Sequence, residues 1–375
     1  MDIGLPPYCS EYTTVILLIT DSYFYLSALR GHLVIIESMP ARCRLIGFGE
    51  SPPALRVEDF ELPRAGPGEV ELRMLAAPIN PADLNVIQGT YGELPHLPAT
   101  MGNEGCGVIV ACGKGCDLQV GQMVLPLSGG AWAEAMVVPV EAVVLLPAGL
   151  DPFQAAMLAV NPATAWLMIH KFQSLMRGSW IVQNAANSGV GRAVIGIARH
   201  LGLRTLNVVR RPELVEELLG LGGDVVVTEE IDFRKEVESL CGGARPVLAL
   251  NAVGGASALN LANALADGGF HVTYGAMGRQ PLKIPNGLLI FRDLQFRGFW
   301  LRRWRDTTPV PEVHALYQAL AELLQAGLFK TPVGPVYPLS QVARAVEEAS
   351  SRNQSGKVML DFSCAESPAD GRIKP

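Results

Sequence analysis

What most limits this chain is a rhythm that sets in after Asp151, where short apolar runs begin to alternate with helical segments. SWIVQNA, RTLNVV, DVVVT, PVLALNAV and HVTYGA read as strands; between them GVGRAVIGIARHLG, PELVEELLGLG, EEIDFRKEVESLCGG and SALNLANALADGG read as helices. In the first of those helices, apolar residues fall at Val190, Val194, Ile197, Ala198 and Leu201, spaced to line one face. A helix between successive strands carries the chain back to its starting end, so the strands pair in parallel and bury both faces of their sheet. A doubly wound α/β domain is expected.

The flanks have another texture. From Met39 to about Pro147 short Val, Leu and Ile runs are broken by Gly and Pro, the pattern of a mostly β, barrel-like domain. After the α/β segment come two amphipathic helices, VHALYQALAELLQAG and VYPLSQVARAVEEASS, and a last strand, GKVMLDF, expected to rejoin the first domain. The expected boundaries are 39–160 and 305–375 for the β domain and 161–304 for the α/β domain, with a ligand cleft between them. Residues 1–38 carry the apolar patch TTVILLIT among the acids Asp2, Glu11, Asp21 and Glu37. They match neither a secretory signal nor a mitochondrial presequence, and are expected to be an extension or a misassigned start.

Composition narrows the partners. With 49% hydrophobic and 18% charged residues the chain can build cores of its own. A formal charge of −6 and the lack of a long basic run argue against nucleic acid. The stretches 152–170 and 246–266 lack Asp, Glu, Lys and Arg, but polar residues and Pro or Gly interrupt both, so buried soluble core is expected rather than a membrane span. Seven dispersed cysteines read as reduced thiols. Among them Cys106, Cys112 and Cys116 lack paired C-x₂-C spacing, no H-E-x-x-H pair is present, and no metal is expected. G-x-S-x-G is absent too, so no hydrolase nucleophile is visible.

The segment with most chemistry is the strand SWIVQNA, its small-residue turn Asn184 to Gly191, and the helix that follows at once. Small residues let backbone approach a pyrophosphate, while free amides and the helix dipole favour its charge. G-x-G-x-x-G is not literally present; Ala186, Ser188 and Gly191 hold its spacing. At 19 and 20 residues beyond Gly191 stand Arg210 and Arg211, where an NAD site would place an acid, so the expected cofactor is NADPH. A tight turn in some other α/β protein, with arginines solvating a helix start, is the plainer alternative.

Five segments carry a more specific likeness: MLAAPINPADLNVIQGTYGELPHLPATMGNEGCGVIV, VNPATAW, NAANSGVGRAV, VTYGAMGRQP and LQFRGFWLRRW. From Met39 to the last strand the chain closely resembles the mitochondrial-type trans-2-enoyl-thioester reductases, zinc-independent members of the medium-chain dehydrogenase/reductase superfamily. The resemblance implies a Rossmann cofactor domain inserted in a GroES-like catalytic domain. Gly102-Asn103-Glu104 stands where zinc enzymes of the superfamily have Gly-His-Glu, so that histidine ligand is missing.

By the same resemblance Tyr91 of NVIQGTYG is the proton donor. A phenol, with an ordinary pKa of about 10, stays protonated at neutral pH and can meet an enolate; a turn with an aromatic anchor is the bland reading. Asn161 matches a nicotinamide contact; Asn187, Ser188, Gly189 and Val190 match the phosphate turn; Arg210 and Arg211 match the adenosine-phosphate site, with one residue fewer just after them. Tyr274, Gly275, Ala276 and Met277 match the nicotinamide edge, although the family usually has Gly where Ala276 stands. Phe299, Trp300 and Leu301 match the lining of the cofactor and acyl pocket, against the alternative of ordinary core aromatics, and Lys357 matches a late lysine that reaches the cofactor.

The implied activity is NADPH-dependent reduction of trans-2-enoyl-CoA or enoyl-acyl-carrier-protein thioesters in fatty acid synthesis, by a homodimer, in the cytoplasm of a bacterium or the mitochondrial matrix of a eukaryote. A zinc-independent quinone or enone reductase and an NADPH-binding protein without turnover are the alternatives.

Overall fold

The structure, a computed structural model, describes residues 39–49, 54–351 and 356–363 and the backbone of three earlier strands, Thr14–Ile19, Ser22–Leu29 and His32–Glu37. Those three form an antiparallel sheet of their own; the rest of the expected extension 1–38 lies outside the described residues.

The alternating segment forms a six-stranded parallel sheet in the order Val225–Thr228, Arg204–Val209, Trp180–Gln183, Leu248–Asn251, Phe270–Thr273 and Gln295–Gly298. The chain starts in the middle, winds out to one edge, and returns to wind out to the other. That is the Rossmann order, and the reversal between Trp180–Gln183 and Leu248–Asn251 opens a crevice at the strands' carboxyl ends. Side-chain alternation gives each face its own core. Ile181, Leu248, Leu250 and Val272 pack against helices Asn161–Lys171, Gly189–Leu201 and Val310–Gln325. Trp180, Val182, Leu206 and Ala249 pack against helices Phe233–Leu240 and Gly255–Ala264 on the other side.

The mostly β part is a seven-stranded sheet built on the ten-residue strand Glu69–Pro78, whose residues alternate buried and half-buried along most of its length. It pairs with Cys106–Cys112, with Ala135–Pro139 and with the final strand Lys357–Asp361, where Leu360 lies opposite Ala77. The last strand thus completes the first domain, and the α/β domain is an insertion between its parts. Among the described residues no helix is long and apolar enough to cross a membrane.

Candidate active site

At the crevice the strand Trp180–Gln183 turns into the helix Gly189–Leu201. Ser188 caps that helix, its Oγ accepting the Gly191 amide at 3.1 Å, and the amides of Gly189 and Val190 have no carbonyl partner within the helix. Gly191 must be glycine, because a Cβ there would overlap the Ala186 carbonyl. Ala185 sits at φ +47°, a left-handed conformation that costs a non-glycine residue about 1 kcal/mol or more, and strain of this kind collects at functional turns. A polar ladder fixes the strand ends: Asn184 Nδ2 donates to Asn251 Oδ1 at 2.9 Å, and Asn251 Nδ2 donates to Thr273 Oγ1 at 3.1 Å.

Asn161 opens its helix beside this turn, so close that a Cβ on Gly189 would lie 2.8 Å from its Nδ2. That buried Nδ2 has no protein partner. Tyr274, at the end of strand Phe270–Thr273, also has a buried hydroxyl without a partner of good geometry; Ser188 lies beside it, and burial pushes the phenol well above its usual range. Two polar groups facing the turn are therefore left for a ligand or water to satisfy.

From the turn a cleft of about 600 Å³ extends between the domains, lined by Asn187, Ser188, Gly189, Arg210, Arg211, Met277 and Lys357 among others. It also holds Arg192, which sequence reasoning missed. Arg192 is buried, its Nε donating to the Asn187 carbonyl at 3.1 Å and its Nη2 to Glu217 Oε1 at 2.5 Å. A charged residue in the first turn of a helix whose other basic residues, Arg199 and His200, fall in its last turn was the available signal. Arg211 lies 3.8 Å from Glu213, and Arg210 is exposed. The cleft lining carries Arg192, Arg210, Arg211 and Lys357 against Glu213 and Glu217, an anion-seeking balance.

Tyr91 stands across from this region, where the two domains meet. Its phenol oxygen accepts the Trp300 indole N–H at 3.0 Å, with the rings edge to face at 6.2 Å. Two more bonds flank the pair: Arg279 donates to Gln88 Oε1 at 2.9 Å and Arg302 to Glu93 Oε1 at 3.2 Å. Since Arg279 follows cleft-lining Met277 by two residues, the Tyr91 turn adjoins the Tyr274–Met277 loop. That loop is held by Met277, whose amide donates to the Ala252 carbonyl at 2.9 Å; Gly275 passes so near that a Cβ would sit 2.9 Å from the same oxygen, and Ala276 is exposed. Phe299 is placed differently from the rest: it is buried in the core, edge to face with Phe172 at 6.3 Å. Leu301 packs partly against the same core. Period-2 alternation after strand Gln295–Gly298 turns Phe299 inward and Trp300 toward Tyr91.

Lys357, on the last strand, reaches the cleft and donates to Asn80 Oδ1 at 3.0 Å. Behind it lie two fully buried carboxylates. Burial pushes Asp83 up to about 6 and Glu104 up to about 7, against hydrogen bonds from Asn80, Asn103 and Val160, and burial pulls Lys357 down. Sequence reasoning saw Glu104 only as part of a motif lacking its histidine. The side chain of Asn103 donates to Asp83 Oδ1 at 2.7 Å. Cys106 donates to the Pro152 carbonyl and is pushed up to about 12 by burial. Among the described residues no group of three or more His, Cys, Asp or Glu is placed to hold a metal.

Known proteins are similar to this chain in sequence and in fold. Residues 66–148 match the alcohol dehydrogenase GroES-like domain family and 189–319 the zinc-binding dehydrogenase family. Mitochondrial enoyl-acyl-carrier-protein reductase of Homo sapiens is 42% identical over 332 residues, 86% of this chain and 89% of that protein. The Dictyostelium discoideum protein of the same name is 37% identical, across 85% and 94% of the two chains. The chain belongs to the mitochondrial enoyl-acyl-carrier-protein reductase family. Solved structures agree with that placement. An Etr1p complex with NADP and crotonyl-CoA superposes with a TM-score of 0.76 at 27% identity, covering 86% of this chain and 99% of the other. A Bacillus thuringiensis protein described as an NADPH:quinone reductase gives 0.80 at 28% identity with the same coverage. This reductase is thus an oxidoreductase of the medium-chain superfamily, and its cofactor domain is the inserted Rossmann sheet.

Proposed function

We propose that the cleft binds NADPH and that the protein reduces trans-2-enoyl thioesters, carried on CoA or acyl carrier protein, in fatty acid synthesis. The residues present fit a phosphorylated dinucleotide. Free amides of Gly189 and Val190 and the helix dipole suit the pyrophosphate; Arg210, Arg211 and Arg192 suit the extra phosphate; Asn161 offers a buried donor with no other partner. When bound, NADPH supplies the hydride that adds to the β-carbon of the enoyl group. The observation that carries the reading is the Tyr91–Trp300 bond beside the Tyr274–Met277 loop. Because the phenol oxygen accepts the indole N–H, its own hydrogen is free to be donated to the thioester oxygen or the α-carbon, where negative charge gathers. The indole N–H then stabilises the charge left on the phenol oxygen.

The test is NADPH consumption by the full chain with crotonyl-CoA and longer enoyl thioesters beside a quinone. Turnover with thioesters supports the reading; turnover with the quinone alone makes the protein a quinone reductase, as the Bacillus thuringiensis neighbour's name suggests. Tyr91→Phe distinguishes a protein that only binds, since an enzyme loses turnover and keeps its cofactor affinity.

A homodimer and a mitochondrial matrix location in a eukaryote belong to the same reading. Strand Gln295–Gly298 is an open sheet edge, and Ile290 and Phe291 just before it are 69% and 83% exposed, features a second copy would cover. We assign residues 39–160 and 305–375 to the catalytic domain and 161–304 to the cofactor domain, helix Val310–Gln325 packing on the latter's core.

A further inference from the structure

Among the described residues Asp83 and Glu104 are the two acidic residues buried to 1% exposure or less, and neither lines the cleft. Removing a carboxylate from water costs several kcal/mol unless its neighbours compensate, so two side by side call for a reason. They meet through Asn80, each of whose three hydrogen-bonding groups here has a separate task. Its amide N–H donates to Asp83 Oδ2 at 2.8 Å, its Nδ2 donates to Glu104 Oε1 at 2.7 Å, and its Oδ1 accepts the Lys357 ammonium at 3.0 Å. Asn80 also caps helix Pro81–Ile87, and the Tyr91 amide donates to the Asn85 carbonyl within that helix at 3.2 Å.

The second oxygen of Glu104 works at the boundary with the cofactor domain. Oε2 accepts the Val160 amide at 2.7 Å, the residue immediately before Asn161. The same stretch is pinned from its far side by Tyr317, whose hydroxyl donates to the Ala159 carbonyl at 2.9 Å. One carboxylate therefore joins three things that have to keep register: the cap of the helix that leads to Tyr91, the cleft-wall ammonium, and the backbone that seats Asn161 against the phosphate turn.

We propose that Glu104 is a positioning residue for the cofactor, holding Lys357 at the cleft wall through Asn80 and Asn161 at the turn through Val160. The inference rests on the reading that the cleft binds NADPH. Its chemistry is specific. A carboxylate can accept from Asn80 and Val160 at once, whereas the glutamine amide can accept only one and must turn an N–H toward the other donor. It also removes the acidic group that bears more strongly than Asp83 on the Lys357 ammonium.

The test is a double-mutant cycle on NADPH affinity, read from nucleotide fluorescence on the full chain, with melting curves to verify folding. Glu104→Gln is expected to raise the NADPH dissociation constant roughly tenfold, and Lys357→Met by at least as much. Because Glu104 acts partly through Lys357, the double variant should be weaker than Lys357→Met alone by clearly less than tenfold. Fully independent effects, whose fold-changes multiply, or unaltered affinity in a folded Glu104→Gln protein, would overturn the proposal. Should Glu104→Gln not fold, Asn80→Ser breaks the same link from its other end and takes its place in the cycle. Failure of the unmodified protein to bind NADPH would instead remove the cofactor assignment itself.

Discussion

Tyr91 depends on few neighbours, which makes substitution there easy to read. Tyr91→Phe keeps the ring and its edge-to-face contact with Trp300 but deletes the donated hydrogen, so kcat with crotonyl-CoA should fall about 10²- to 10⁴-fold while NADPH affinity holds. Retained turnover would remove Tyr91 from the chemistry. At the other end of the cleft, replacing Arg210 and Arg211 by Asp should lower the preference for NADPH over NADH roughly 100-fold, two charge-assisted bonds at about 1.5 kcal/mol each. Comparing kcat/KM for the two nucleotides decides it. His271 gives a third prediction. Fully buried against Phe296, with Nε2 facing the Ala258 carbonyl, its imidazole is pushed down to about 4 by burial. As pH falls from 6.5 toward 4 the unfolded chain takes a proton that the folded one refuses, so stability is present above 6.5 and lost on acidification. At pH 5 the loss is about 2 kcal/mol. Asp83 and Glu104, raised by burial, act in the opposite direction. Urea unfolding of His271→Gln beside the unmodified chain isolates the histidine: the stability gap between them should shift by about that amount between pH 7 and pH 5.

At the scale of elements, glycine decides how closely pieces approach. Gly196 lies mid-helix in Gly189–Leu201, and a Cβ there would overlap the Leu328 carbonyl oxygen in the turn after helix Val310–Gln325. Gly196→Ala gains about 1 kcal/mol in helix propensity yet should destabilise by about 1–3 kcal/mol, because backbone cannot yield as a side chain does; a raised midpoint in urea would contradict this. The parallel sheet was legible in the sequence for a related reason. Buried strands and one-faced helices leave a periodic signal, and its period named each element from Trp180 to Thr273. The site was legible where it is local. The turn from Asn184 to Gly191 and the arginine pair could be read from spacing, and the reductase resemblance named Tyr91, Asn161 and Lys357. What could not be read was pairing over long separations. Nothing near Tyr91 announces Trp300, nothing near Lys357 announces Asn80, and Phe299 differs from Trp300 only in which face its position on the backbone presents. Arg192 escaped because a helix-surface arginine and a buried one look alike until the neighbouring glutamate is in place.

For the whole molecule, the cleft is lined by residues of both domains, so a ligand seated in it should stiffen their relation. NADPH at 100 times its dissociation constant should add about 2.7 kcal/mol to stability by mass action, seen as a higher melting temperature, with NADH adding far less at the same concentration. Equal shifts for the two would contradict the arginine assignment. The pairing of Lys357–Asp361 with Glu69–Pro78 has a further consequence for how the molecule is made. While the chain is still being synthesised, the half that emerges first lacks one of the partners of its central strand, whereas the parallel sheet can close as soon as its own six strands have left the ribosome. The enclosed domain should mature first and the enclosing one last, with the lysine of the active cleft arriving on the very strand that ends the wait.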